Sequence, residues 1–238
     1  MNQEGIGFIR NLTASEIVQQ VLLLRSKINR IVFMGMGEPL FNYDDLIKSI
    51  HILRDRNGLN FPTDGITVST VGPINALKKL REEHIKIQLT LSLHATTQKI
   101  RDKIMPGMKK NNIEEIVKNV LSYSERHNRT VVIAYLLWPG VNDRPSDITQ
   151  LKKWFANKNV LINLLQYNNT NTDKLKRPNK QVLTQFKRKL EDVGLKVKIR
   201  ESHGQDVNAA CGQLVSKYNA ISKNESKEKM YKIRKNNR

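Results

Sequence analysis

The chain has 238 residues, one cysteine, and a formal net charge of +19 from 41 Lys and Arg against 22 Asp and Glu. One cysteine excludes an internal disulfide framework and favours a reducing compartment, so a cytoplasmic location is expected. No apolar run reaches the roughly 20 residues of a membrane span, so no membrane partner is expected. The charge indicates a polyanionic partner, most simply nucleic acid, although a Lys-, Asn- and Ile-rich genomic bias would produce the same excess.

Predicted helices and strands alternate along the chain. A capping box from Thr13 to Glu16 begins the first helix. The expected apolar stripe of this helix consists of Ile17, Val21, Leu24 and Ile28. Strands are predicted at 30–34, 66–70, 85–93, 130–137, 160–165 and 195–200, and further helices at 44–56, 73–81, 112–127, 146–156 and 180–193. This alternation predicts an α/β fold with a parallel sheet, either open and doubly wound or closed toward a barrel.

Polar residues follow the predicted strands at the points where they end. They are Gly37-Glu38, Ser69-Thr70, Ser92-Leu93-His94, Asn142-Asp143 and Tyr167-Asn168. Because the carboxyl ends of parallel strands share one edge, and sites collect there in such folds, we expect these residues on one rim. Each also has an ordinary structural interpretation. Glu38 would cap a helix, the serines would satisfy turn backbone, His94 would be a structural hydrogen-bonding residue, and Asn168 would be a turn residue.

The segment AACGQL at 209–214 contains the only cysteine, Cys211. A thiolate is a strong nucleophile, and small neighbours would let a reacting group approach it closely. The alternative is a small buried hydrophobic residue. The sequence has no Walker loop, GxGxxG or GxSxG, and its five histidines show no metal-ligand spacing.

Six segments together resemble the radical-SAM RNA methyltransferases of the RlmN/Cfr family. They are GFIRNLTA at 7–14, FMGMGEPL at 33–40, ITVSTVG at 66–72, LSLHA at 91–95, PGVND at 139–143 and AACGQL at 209–214. The resemblance implies a partial (βα)6 radical-SAM barrel over residues 1–216, incomplete at the N-terminus and missing its first strand and cluster loop. Residues 217–238 are expected to be a basic, disordered tail, which would either solvate the protein or become ordered on RNA.

The resemblance also implies the reaction. The family uses two molecules of S-adenosylmethionine (SAM), a [4Fe-4S] cluster and a flavodoxin-like electron donor to methylate an sp² carbon of an adenine in 23S ribosomal RNA and, in its RlmN branch, in some transfer RNAs. Carbon 2 is the expected position here, and the residues leave carbon 8 open as the alternative. Cys211 would become the S-methylcysteine intermediate, whose methyl group a 5′-deoxyadenosyl radical activates. The implied SAM-binding residues are Gly37, Glu38, Ser69, Ser92, Leu93, His94 and Asn168. Met34 and Gln213 would line the site.

The absence of the family's cluster cysteines is a departure that bears on activity. The family's cluster motif, CxxxCxxC, is absent, so these residues supply no cluster ligands and we expect them not to complete catalysis alone. One alternative is a degenerate, non-catalytic paralogue that binds RNA or SAM. A weaker alternative is another radical-SAM-like barrel with a small substrate.

Overall fold

The computed structural model describes residues 8–24, 28–34, 37–166 and 178–200. The elements in chain order are α1 (Ala14–Leu22), β1 (Ile31–Phe33), α2 (Tyr43–Arg54), β2 (Ile66–Thr70), α3 (Ile74–Glu82), β3 (Gln88–Ser92), α4 (Gln98–Ile104), α5 (Ile113–His127), β4 (Val131–Leu137), α6 (Pro145–Phe155), β5 (Val160–Gln166), α7 (Lys180–Asp192) and β6 (Val197–Arg200). Short 3-10 helices lie at Pro39–Asn42, Thr63–Gly65 and Pro106–Met108.

The six strands form one sheet in the order β1-β2-β3-β4-β5-β6, and every neighbouring pair is parallel. A doubly wound sheet requires a reversal of strand order, and this sheet has none. Right-handed crossovers in a sequential order place successive helices on the same side of the sheet, which is the arrangement of a barrel wall. The structure therefore confirms the predicted α/β fold and, of the two predicted architectures, favours the barrel.

The two faces of the sheet differ in burial. Val68, Leu91, Ile133 and Leu164 are 0% exposed and belong to the core shared with the helices. Most of the alternate residues on the same strands are half-buried, and several of them are polar. The polar ones are Thr67, Ser69, Thr90, Ser92 and Asn163. The helices thus cover one face of the sheet, and the other face is polar and partly open.

Two predicted elements were wrong in extent. Helix α1 ends at Leu22, so Ile28 lies outside it, and its buried residues are Ala14, Val18 and Val21. Leu24, predicted on the apolar stripe, is 51% exposed.

The strand predicted over 85–93 is paired only over Gln88–Ser92. The hydroxyl of Tyr123 bonds both backbone groups of Ile87, donating to its carbonyl at 3.0 Å and accepting from its N–H at 3.2 Å. A side chain therefore replaces the neighbouring strand at this position.

Helix α4 was not predicted. Its seven residues contain only two apolar side chains, Ile100 and Ile104, and the buried residue of the helix is Arg101. Thr97 caps the N-terminus of α4 by accepting from the Ile100 N–H.

Among the described helices, none combines the length and hydropathy needed to cross a bilayer. The predictions for the tail at 217–238 lie outside the described residues.

Candidate functional site

Four of the five predicted polar groups lie at the carboxyl ends of neighbouring strands. Glu38 follows β1, Ser69-Thr70 ends β2, Ser92-Leu93-His94 ends β3 and Asn142-Asp143 follows β4. We call these residues the carboxyl rim. Tyr167, Asn168, Cys211 and Gln213 lie outside the described residues, so their predicted roles stay predictions.

The Glu38 carboxylate joins the loop after β1 to the end of β2. Its Oε1 accepts from the Leu40 N–H at 3.0 Å and from the Thr70 hydroxyl at 2.6 Å. Its Oε2 accepts from the Val71 N–H at 2.7 Å. The contact with Leu40 caps the 3-10 helix Pro39–Asn42, so the structural interpretation of Glu38 as a cap is confirmed. The contacts with Thr70 and Val71 add a second function, which is to fix the carboxylate at the rim.

Burial raises the pKa of Glu38 above its ordinary value of 4.5, although the hydrogen bonds from Thr70, Val71 and Leu40 each lower it. Among the described residues, no Lys or Arg forms an ion pair with this carboxylate. A carboxylate offers about four acceptor positions, and three donors are present here. Glu38 is therefore suited to accept from a cationic group of a ligand, and an ammonium group would also offset the cost of its burial.

Gly37 sets the backbone path into Glu38. Its φ is +138°, which side chains of L-residues rarely adopt, and a Cβ at this position would meet no atom within 4 Å. The glycine is therefore required by its backbone conformation and not by crowding among the described atoms. Met34, the other residue predicted near this loop, is 43% exposed.

His94 is fixed by the neighbouring strand end. Its backbone is left-handed, with φ +56°, and its Nδ1 accepts from the Leu136 N–H at 3.0 Å. Burial, together with the charge of Arg101, lowers the pKa of His94 to about 3. The ring is therefore neutral at physiological pH with its proton on Nε2. The structural interpretation of His94 is confirmed, and Nε2 is the nitrogen that remains for a ligand.

Asn142 connects His94 to the loop after β4 and is 0% exposed. Its Nδ2 donates to the carbonyls of His94 at 2.9 Å and Leu136 at 2.7 Å, and its Oδ1 accepts from the Trp138 N–H at 2.8 Å. Its own carbonyl accepts from the Tyr135 hydroxyl at 2.7 Å. Asn142 is thus a structural component of the rim, and both N–H donors of its amide are used within the fold.

The remaining predicted residues differ in accessibility. Ser69 and Ser92 are half-buried and lie on the face of the sheet that the helices do not cover. The Leu93 side chain is 0% exposed, its N–H donates to the Ala134 carbonyl, and its carbonyl accepts from Arg101. Leu93 therefore anchors the backbone between Ser92 and His94 through its buried side chain and its two backbone hydrogen bonds.

Arg101 is the residue of this region that sequence reasoning missed. It is 1% exposed and donates from Nη1 to the carbonyls of Ser92 and Leu93 and from Nη2 to the carbonyl of Val71. The signal that the sequence offers for a buried arginine is weak, since it is an arginine within a short segment that lacks an apolar stripe.

Within the described ranges, no group of three or more His, Cys, Asp or Glu could hold a metal ion.

Residues 2–151, more than half of the chain, match the Radical SAM superfamily, and the chain belongs to this superfamily. The chain is 49% identical over 208 residues to a probable RNA methyltransferase of Rhodopseudomonas palustris (strain BisB5), a match that covers 87% of this chain and 58% of the relative. It is 43% identical over 212 residues to a probable dual-specificity RNA methyltransferase RlmN of Thermotoga sp. (strain RQ2), covering 87% and 62%.

A solved structure supports the same relationship. The crystal structure of a radical SAM methyltransferase from Sphaerobacter thermophilus matches with a TM-score of 0.82 and 33% identity, over 87% of this chain and 63% of that chain. The predicted resemblance to RlmN-type methyltransferases and the predicted radical-SAM fold are thereby confirmed. The chain spans 58% and 62% of the length of the two curated relatives named above.

Proposed function

We propose that this chain is the SAM-binding barrel of an RNA methyltransferase. Its substrate is carbon 2 of an adenine in 23S ribosomal RNA, and transfer RNA is a second substrate. The observation that carries the proposal is the half-buried Glu38 carboxylate, which three donors hold at the rim without a described cation, in a chain whose relatives are RNA methyltransferases. The net charge of +19 fits a polyanionic substrate.

SAM would lie across the carboxyl rim. SAM carries an amino-acid end with an ammonium group, and Glu38 accepts from that group. Gly37 directs the backbone so that Glu38 faces the rim, while the hydroxyls of Ser69 and Ser92 and the Nε2 of His94 offer further hydrogen bonds from the open face. Asn168 belongs to the same proposed set through its place in the sequence. When bound, SAM supplies the methyl group.

Cys211 is the proposed methyl acceptor. Its thiolate would attack the methyl carbon of SAM, forming a carbon–sulfur bond as the sulfonium–methyl bond breaks, and S-adenosylhomocysteine would leave. Adenine carbon 2 is not a nucleophile, which is why a protein-bound methyl group is needed before transfer to RNA. Gln213 is proposed to line this part of the site together with Met34.

The residues present do not fit a [4Fe-4S] cluster. Such a cluster in this superfamily needs three cysteines, and the chain has one. These residues alone therefore support no radical step, and we expect the 238 residues alone not to complete methylation of RNA. Cytoplasmic location and a flavodoxin-like electron donor belong to the same proposal.

A non-catalytic protein that binds RNA or SAM is the second candidate. The single cysteine in the chain favours it, because a protein without radical chemistry does not need cluster ligands. The two candidates differ in whether the Cys211 thiol accepts a methyl group.

Intact mass spectrometry distinguishes the two candidates. The chain is incubated with SAM, reductant and a full-length relative of the RlmN type, and a Cys211→Ala variant serves as the matched control. One added methyl group on the wild-type chain, absent from the variant, supports the methyltransferase. An unmodified wild-type chain that still binds SAM supports the binding protein. Full methylation of the target adenine by the chain alone contradicts the expected dependence on outside cluster ligands.

A further inference from the structure

A buried arginine joins the ends of two strands of the carboxyl rim. Arg101 lies on α4 and donates from Nη1 to the Leu93 carbonyl at 2.6 Å and the Ser92 carbonyl at 3.2 Å. Its Nη2 donates to the carbonyl of Val71. One planar guanidinium thus holds the end of β3 and the residue that follows β2 at a fixed separation.

Burying this cation is costly in free energy. Burial lowers the pKa of Arg101 to about 10, so the group is still charged at neutral pH. In the part of the chain that the structure describes, no carboxylate forms an ion pair with it, and its buried Nε has no hydrogen-bond partner. The neighbouring carboxylate of Asp102 accepts instead from Gln98 Nε2 at 2.7 Å. A buried cation that only carbonyls accept is a poor source of stability, which suggests another role.

The backbone groups that Arg101 holds belong to the residues that form the rim. Val71 uses both of its backbone groups, because its N–H donates to Glu38 Oε2 and its carbonyl accepts from Arg101. Leu93 does the same, with its N–H on the Ala134 carbonyl and its carbonyl on Arg101. A continuous chain of hydrogen bonds therefore runs from Glu38 through Val71 and Arg101 to the segment that carries His94.

We propose that Arg101 is a positioning residue for SAM, which sets the distance between the Glu38 carboxylate and the Ser92–His94 segment. This inference rests on the proposed function of the rim. Arginine suits the task because its rigid, planar fork presents donors in two directions, toward Val71 and toward Ser92 and Leu93. Lysine would keep the charge but would present it from a single flexible nitrogen.

The test compares SAM affinity among folded variants of the full 238-residue chain. Arg101→Lys keeps the charge and loses the fork, and Arg101→Gln loses both. Arg126→Gln is the matched control, since Arg126 is half-exposed at the end of α5 and forms an ion pair with Glu82 at 2.9 Å. Affinity is measured by calorimetry or equilibrium dialysis with SAM, at a temperature where circular dichroism shows each variant fully folded. Under that condition, a residue that only stabilised the fold would leave the affinity unchanged.

We expect Arg101→Lys and Arg101→Gln to weaken SAM binding by about tenfold or more, the scale of losing one charge-assisted hydrogen bond. Arg126→Gln should bind as the wild type does. NMR titration of His94 gives a second readout, because its pKa should rise in Arg101→Gln and stay low in Arg101→Lys. Wild-type affinity in a folded Arg101→Lys would overturn the positioning role, and this variant decides the matter if Arg101→Gln does not fold. A wild-type chain without SAM affinity would instead overturn the proposed function, and the inference with it.

Discussion

The Thr70 hydroxyl lies 2.6 Å from Oε1 of Glu38 and donates to it, while its oxygen accepts from the Gly72 N–H at 2.9 Å. Thr70 thereby connects the carboxylate after β1 to the turn after β2. The hydroxyl also lowers the pKa of Glu38 against the larger effect of burial, which raises it. The hydrogen bond from Thr70 is therefore one of the contacts that set the protonation state of Glu38. Because SAM binding is proposed to use the ionised carboxylate, SAM affinity should depend on this hydrogen bond as well.

SAM binding should weaken in acid at a pH above 4.5, the ordinary pKa of glutamate. The pKa of Glu38 is raised by burial, so the carboxylate takes up a proton at a higher pH than an exposed glutamate and then loses its attraction for an ammonium group. His94 does not contribute to this titration, because its pKa of about 3 lies below it. Affinity measured between pH 4 and 8 checks the prediction, and Glu38→Gln should remove the pH dependence.

Thr70→Val should move that pH dependence to higher pH. The substitution removes one donor to Glu38 and keeps the side-chain shape, so the carboxylate becomes harder to ionise. Thr70→Ser keeps a hydroxyl and serves as the control. If both variants titrate as the wild type does, the Thr70 contact has no influence on Glu38.

Asn142→Asp should destabilise the chain by about 2–3 kcal/mol, the usual cost of leaving buried carbonyls without donors. The aspartate can still accept from the Trp138 N–H, but it cannot donate to the carbonyls of His94 and Leu136. Urea unfolding measures the change. Asp143→Asn, next in the sequence on a partly exposed side chain, should cost less, and an equal loss at the two positions would argue against the hydrogen-bonding role of Asn142.

Gly72→Ala should destabilise the chain by about 2–4 kcal/mol, from backbone strain and overpacking together. Gly72 has φ +86°, and an added Cβ would lie 2.6 Å from Cγ2 of Ile116. Gly107→Ala is a matched control, since its Cβ would meet no atom within 4 Å and no left-handed φ is involved. The midpoint temperature of thermal unfolding should therefore be clearly lower for Gly72→Ala than for Gly107→Ala. In an Ile116→Ala background, where the atom that clashes is absent, Gly72→Ala should cost less than it does in the wild type, because mainly the backbone strain remains.

Thr13→Ala should lower the free energy of unfolding by about 1 kcal/mol through loss of the α1 N-cap. The Thr13 side chain accepts from the Glu16 N–H, and the Glu16 carboxylate accepts from the Thr13 N–H at 2.8 Å. Thr13→Ser keeps the capping oxygen and should be close to neutral. Chemical denaturation of the three proteins measures the difference, and equal loss in both variants would place the effect outside the cap.

The parts of the fold that the sequence predicts are those with local causes. The α1 capping box and the apolar strands follow from contacts between residues close in sequence, and the rim follows from the rule that parallel strands end at one edge. Arg101 could not be predicted, because its burial depends on carbonyls at or just after the ends of β2 and β3, which only the folded sheet brings together. The late start of β3 has the same origin, since Tyr123 reaches Ile87 from a helix 36 positions away.

The sequential strand order bears on how the protein is made. Each strand pairs with strands adjacent to it in the chain, so each new βα unit emerging from the ribosome can dock onto the sheet edge left by the unit before it. No strand has to wait for a distant segment to be inserted between it and its neighbour. The described sheet can therefore fold during synthesis in the order in which it is translated, with each new strand adding to the edge left by the previous one.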